Sequence, residues 1–73
     1  MIPVVCRTYV DAGKGKDWPI RLWTKPNVGE LIKCNSSLLT LQVVKIIHTS
    51  EGLEIELGLT DAQREIVRLG GKI

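Results

Sequence analysis

Few residues of this chain are suited to covalent chemistry. His48 is the single histidine, and Cys6 and Cys34 are the two cysteines among 73 residues. They lack the C-x-x-C and His spacing that binds structural zinc. The histidine ends an apolar run next to a turn and both cysteines stand among aliphatic residues, which favours roles in packing over catalysis. We therefore expect a protein that is not an enzyme and that uses neither a metal nor a cofactor.

The basic and aromatic residues point to binding. Residues 1–50 carry seven Lys and Arg against three acids, a charge of +4, and residues 51–73 carry three against five, a charge of −2. All three aromatic residues lie in the basic part. Arg7 and Tyr9 share a face of one predicted strand, and Arg21 and Trp23 share a face of the next. If the strands pair, these side chains form one patch, in which cations bind phosphates and rings stack on unpaired RNA bases.

Two other interpretations of these residues stay open. Tyr9 and Trp23 could fill a small core, with the charges serving only solubility. Alternatively, Trp18 and Trp23 could be exposed on an SH3-like interaction module and receive a peptide or a protein partner. The two binding hypotheses differ in their response to salt, because phosphate contacts weaken as the salt concentration rises.

The elements that position these residues are mainly strands. The chain has 8 Ile, 7 Val and 5 Thr but only two Ala, and β-branched side chains pack well on a pleated sheet. We predict one domain, residues 1–73, with a mainly β fold: a small antiparallel five-stranded barrel or sandwich with a short C-terminal helix. The predicted strands cover residues 4–10, 18–24, 28–34, 38–48 and 53–59.

A capping box predicts the helix. The Thr60 hydroxyl can accept the backbone N–H of Gln63, whose side chain can reach back, and glycines follow at the predicted end, residue 69. A helix of under three turns must dock through its apolar residues, Ala62, Ile66, Val67 and Leu69. A further strand over residues 64–69 is the alternative.

The run 38–48 carries large aliphatic residues on both faces, which indicates either a covering second chain or a β-bulge that resets the alternation. Because a chain of this length has little core, we expect a homodimer. No apolar run reaches the roughly 20 residues that span a bilayer, and no secretory segment is recognisable, so we expect a cytoplasmic protein that does not enter the membrane.

Several motifs between residues 20 and 66 resemble those of a known family. Ile20-Arg-Leu-Trp-Thr-Lys25, followed by Val28-Gly-Glu30, is similar to a first strand that leads into Val-Gly-Glu. A long aliphatic strand, a hairpin, Leu57-Gly-Leu59 and Ala62-Gln-Arg-Glu-Ile66 follow. In these features the chain resembles the carbon storage regulator (CsrA/RsmE) family of small RNA-binding proteins. It departs from the family in the nineteen residues that precede the match and in the segment after Ile66.

This resemblance implies a regulator that binds GGA-bearing hairpin loops of messenger RNA as an intertwined homodimer. It implies RNA contacts by Arg21, Trp23 and Lys25 on the first strand, and an approximate second contact region at Arg64 and Arg68. Together with the basic and aromatic pattern, the predicted nucleic-acid-binding residues are Arg7, Tyr9, Trp18, Arg21, Trp23, Lys25, Arg64 and Arg68.

Overall fold

A computed structural model describes residues 1–73. Five strands form one sheet that curls into a half-barrel, and a short helix follows them, which confirms the mainly β prediction with a C-terminal helix. A 3-10 turn, Asp11–Gly13, follows the first strand. The elements are β1 (Ile2–Thr8), β2 (Arg21–Leu22), β3 (Leu31–Lys33), β4 (Thr40–Thr49), β5 (Gly52–Gly58) and α1 (Asp61–Arg68).

The order of the strands is β2-β1-β5-β4-β3, so β2 and β3 are the edges of the half-barrel. Three neighbouring pairs are antiparallel, but β1 runs parallel to β5, with Val4 opposite Leu53 and Thr8 opposite Leu57. The sheet is therefore mixed, which corrects the expectation of a wholly antiparallel arrangement. Alternation in the sequence indicates which residues share a face, but it carries no information about strand direction.

The strands near the N-terminus differ in extent from the prediction. β1 ends at Thr8, whose hydroxyl donates to the Leu57 carbonyl (2.8 Å) and accepts from the Val10 N–H (3.0 Å). β2 and β3 are only two and three residues long. In the segment before β2, Trp18 is buried in the core, and Gly29, with φ of +98°, lies in a turn before β3.

A β-bulge explains the aliphatic residues on both faces of β4. Val43 lies opposite Leu57 and Lys45 opposite Glu56, so Val44 between them is unpaired. The extra residue shifts the alternation, so that Val43 is fully buried while Lys45 is exposed. The predicted bulge is confirmed, and the alternation of β4 needs no second chain to explain it.

The core lies on the inner face of the half-barrel, the face that carries Val43. Trp18 is the only aromatic residue in it, and its indole N–H donates to the Gly13 carbonyl at 2.9 Å. The other core residues are aliphatic, apart from one cysteine: Val4, Ile32, Cys34, Leu41, Val43, Leu53, Ile55 and Leu57. Tyr9 and Trp23 lie outside the core, 81% and 83% exposed, so the interpretation that they fill it is wrong.

The capping box at the start of α1 is present as predicted. Thr60 accepts from the Gln63 backbone N–H (3.1 Å), and the Gln63 side chain accepts from the Thr60 N–H (2.9 Å). The amide of Gln63 also donates to the Thr40 carbonyl (2.7 Å), which ties α1 to β4. A strand over residues 64–69 is excluded, because this segment is helical as far as Arg68.

The apolar residues of α1 do not dock as expected. Ala62, Ile66, Val67 and Leu69 are all exposed, and no residue of the helix is buried. The helix is held at its N-terminal end by polar contacts, so its apolar side chains stay open to water. A helix that crosses a bilayer needs about 20 apolar residues, and no helix of this fold meets that requirement.

Candidate nucleic-acid interface

Two exposed basic residues and one exposed aromatic residue lie close together on the segment 20–25, at the β2 edge of the sheet. Leu22 is half-buried and packs against the core, and it lies opposite Ile2. Arg21 on β2 is exposed, and Trp23 is exposed as well, where the chain bends after β2. Pro26 is buried and anchors the chain just after the segment. The local structure thus presents Trp23 to solvent, and it is two positions from a cation on each side in the sequence, Arg21 and Lys25.

The two cations of this segment are free of acidic partners. The ion pairs of the protein are Arg7 with Glu54, Lys14 with Asp11 and Arg68 with Glu65. Arg21 and Lys25 belong to none of them, so their charges are available to a ligand. A guanidinium and an ammonium on either side of an exposed indole can neutralise phosphates while the ring stacks on a base.

Arg7 and Tyr9 do not join this segment, so the predicted single patch is wrong. Arg21 lies opposite Pro3, and Arg7 is four residues further along β1, which is about 13 Å at the rise of a strand. Trp23 continues past the start of β1, while Tyr9 follows its end. The register therefore places the two pairs near opposite ends of β1, and the 3-10 turn and Trp18 lie in the chain between them.

Arg7 is also compensated by acids on the outer face of the sheet. Its guanidinium lies 3.4 Å from the Glu54 carboxylate, and Glu56 is its neighbour in register on β5. Lys45 on β4 lies opposite Glu56 from the other side. Acids and bases therefore alternate across this face, and it offers no concentrated positive field to a phosphate backbone.

The two arginines predicted as a second contact region have different surroundings on α1. Arg68 pairs with Glu65, and this contact raises the pKa of Arg68 and lowers the pKa of Glu65. Arg64 has no acidic partner within an ion-pair distance, and it lines a groove with Tyr9 and Val67. Only Arg64 of this pair is free to contact a ligand, and it lies in a groove away from the segment 20–25.

Trp18 is not available for stacking. Its side chain is only 9% exposed and closes the core beside Gly13. This burial corrects the prediction that Trp18 contacts RNA. It also means that an SH3-like interaction module could use only Trp23, and not both tryptophans, to receive a partner.

The two thiols hold the backbone on either side of Trp18. Cys6 donates to the Pro19 carbonyl and Cys34 to the Asp17 carbonyl, both at 3.5 Å. Burial raises the pKa of Cys6 to about 11. Hydrogen bonding, chiefly to the Ser36 hydroxyl, lowers the pKa of Cys34 to about 7, but Cys34 is fully buried and no reagent can reach its sulfur without an opening of the fold.

The largest cavity is not predictable from the sequence patterns above. It is an open groove of about 750 Å³ between α1, the C-terminal residues and the outer face of the sheet beside Tyr9. The one feature of the sequence that points to this groove is the amphipathic pattern of α1, but that pattern predicts that the helix docks against the chain's own core. No three His, Cys, Asp or Glu side chains are grouped so that they could hold a metal ion.

Comparison of the chain with protein-family models gives no match, and comparisons with curated proteins and with solved structures give no significant match either. The resemblance to the carbon storage regulator family therefore stays a prediction, which rests on the short motifs in residues 20–66.

Proposed function

We propose that this protein binds single-stranded or looped RNA through the segment 20–25, without catalysis. Trp23 stacks on an unpaired base, while Arg21 and Lys25 neutralise neighbouring phosphates. The observation that carries the proposal is a tryptophan with 83% of its surface exposed between two cations that have no acidic partner. Both cysteines are free thiols, which fits the proposal of a cytoplasmic protein.

Binding by this segment has a characteristic dependence on salt. For two phosphate contacts to a single strand, a plot of the logarithm of the association constant against the logarithm of the salt concentration should have a slope of about −1.4. Removal of one cation makes this slope shallower by about 0.7. Loss of one base–aromatic stack weakens binding by about 1–3 kcal/mol, which is roughly 5- to 150-fold in affinity.

The test is fluorescence anisotropy with a labelled hairpin that carries GGA in its loop, the probe that the family resemblance suggests. We expect Trp23→Ala to weaken binding within that range, and Trp23→Phe to retain most of it. Arg21→Ala lowers both the affinity and the salt slope. Leu38→Ala is the matched control, because Leu38 is an equally exposed large apolar residue outside the segment and outside the groove beside α1.

Absence of binding at low salt, or an affinity that Trp23→Ala leaves unchanged, contradicts the proposal. The alternative function, an SH3-like module that binds a peptide or a protein, predicts that high salt does not weaken binding. It also predicts dependence on Trp23 without dependence on Arg21 and Lys25. Circular dichroism of Trp23→Ala shows whether a loss of binding reflects a loss of fold.

A further inference from the structure

The groove beside α1 is an apolar surface that the chain itself leaves uncovered. Tyr9 is 81% exposed, Val67 46% and Ile73 39%, and all three line the groove. Exposed apolar side chains that gather in one groove, rather than lying singly on the surface, are typical of an interaction site. The groove's apolar side chains come from four parts of the chain that meet only in the fold: Tyr9 and Val10, Val44, Leu59, and Val67 with Ile73.

α1 is too short to be stable without support on its apolar side. A helix of eight residues does not form by itself in water, and helices in proteins owe most of their stability to packing of the apolar face. Here the contacts that support the helix are polar: the capping box, the contact of Gln63 with β4 and the Arg68–Glu65 ion pair. The side of α1 that carries Val67 therefore needs a partner.

The dimensions of the chain also indicate a missing partner. The accessible surface is 5035 Å², whereas a compact monomer of 8.1 kDa exposes about 4,500 Å². The radius of gyration is 12.3 Å, against about 11 Å for a compact domain of this length. The excess of roughly 500 Å² is a large part of the ~800 Å² that each partner buries in a standard interface.

The charges around the groove identify the occupant. Asp11 and Glu56 supply two carboxylates to its rim, and Arg64 and Lys72 supply two cations, so the rim has no net charge. A rim without net charge does not attract a nucleic acid, and a strongly charged peptide would match only half of the rim. A second copy carries the same two cations and two carboxylates, so a two-fold axis can set the cations of each rim against the carboxylates of the other.

We infer that two copies of this chain pair through the groove, with α1 of each copy against the groove of its partner. The interface is isologous, with an apolar centre around Val67 and a rim of complementary charges. The pairing does not rest on the proposed RNA binding, since the segment 20–25 lies outside the groove.

Sedimentation equilibrium of the full chain tests the pairing. We expect a mass of twice 8.1 kDa at micromolar concentrations. Val67→Glu places a charge in the apolar centre and weakens the dimer by at least about tenfold. Leu38→Glu is the matched control: Leu38 is an aliphatic residue with 88% exposure outside the groove, and its substitution leaves the dimer intact. Circular dichroism verifies that both variants are folded.

Reversal of the rim charges tests the two-fold arrangement itself. One chain carries Arg64→Glu and Lys72→Glu, so its rim is wholly acidic, and another carries Asp11→Lys and Glu56→Lys, so its rim is wholly basic. Each is expected to be monomeric alone because like charges face each other, and a mixture of the two forms a heterodimer detectable by native mass spectrometry. A monomeric wild-type chain, an unaffected Val67→Glu dimer, or rim variants that do not pair on mixing would each overturn the proposal.

Discussion

Gly52 is the position at which one added methyl group has the largest predicted effect. It opens β5 directly after the hairpin turn, with a φ of +141° that L side chains rarely adopt. A Cβ at this position would lie 2.3 Å from the carbonyl oxygen of Pro3, where real Cβ contacts do not fall below 3.0 Å. Pro3 would have to withdraw by about 0.7 Å, the difference between these two distances.

That displacement affects two strand pairings at once. Pro3 lies opposite Arg21 of β2, and the next residue, Val4, begins the parallel pairing of β1 with Leu53. The unfavourable φ costs about 1 kcal/mol, and the forced shift of a packed backbone adds about 2 kcal/mol. We therefore expect Gly52→Ala to lower the free energy of unfolding by about 3 kcal/mol, out of about 4–11 kcal/mol for a chain of this length.

The matched control is Gly15→Ala. Gly15 also has a positive φ, +73°, but no atom lies within 4 Å of the place that a Cβ would take, so the substitution incurs only the conformational cost. Thermal unfolding, followed by circular dichroism at one fixed protein concentration, measures both variants. At 4–8 °C per kcal/mol, we expect Tm to fall by about 5 °C for Gly15→Ala and by about 15–20 °C for Gly52→Ala. Equal losses in the two variants would refute the close approach of the turn to β1.

The two tryptophans and the two thiols provide the remaining predictions. We expect Trp18→Ala to lower the free energy of unfolding by about 3–5 kcal/mol, because it leaves a cavity in the core. Trp23→Ala should change the free energy of unfolding by less than about 0.5 kcal/mol in the same thermal melts. Similar losses in both variants would mean that Trp23 is also packed. Because burial raises the pKa of Cys6 from 9.0 to about 11, the unfolded chain releases that proton first, so stability falls between about pH 9 and pH 11. Urea titrations across this range check the fall, which should be smaller in Cys6→Ala. In native protein at neutral pH neither thiol should react rapidly with a disulfide reagent, Cys6 because it stays protonated and Cys34 because it is buried; rapid labelling of Cys34 would contradict its burial.

Much of the secondary structure is predictable from neighbouring residues. The alternation of Leu53, Ile55 and Leu57, with Gly52 at the turn before them, identifies β5 and its hairpin. The capping residues identify the start of α1, and the broken alternation of residues 38–48 indicates the bulge. These features are readable because each depends on residues a few positions apart, whose side chains and backbone dihedral angles act on one another directly.

The candidate site was predictable in its residue types but not in its arrangement. Arg21, Trp23 and Lys25 are recognisable as a basic and aromatic segment. Their separation from Arg7 and Tyr9 follows from the register of β2 against the start of β1, which residues distant in the sequence determine. The groove beside α1 is likewise a product of assembly, because its lining comes from both ends of the chain.

Trp18 and Trp23 show most clearly how local pattern and assembled fold differ in what they specify. The amino-acid sequence alone specifies a mainly β chain with an aliphatic core, a capped C-terminal helix and a basic part that holds every aromatic residue. The assembled fold adds that one tryptophan closes the core, with its N–H bonded to Gly13, while the other stays in water beside free cations. It also adds that β1 runs parallel to β5. Burial and strand direction depend on which distant segments of the chain pack and pair with each other, and a local pattern of residues is compatible with several such arrangements.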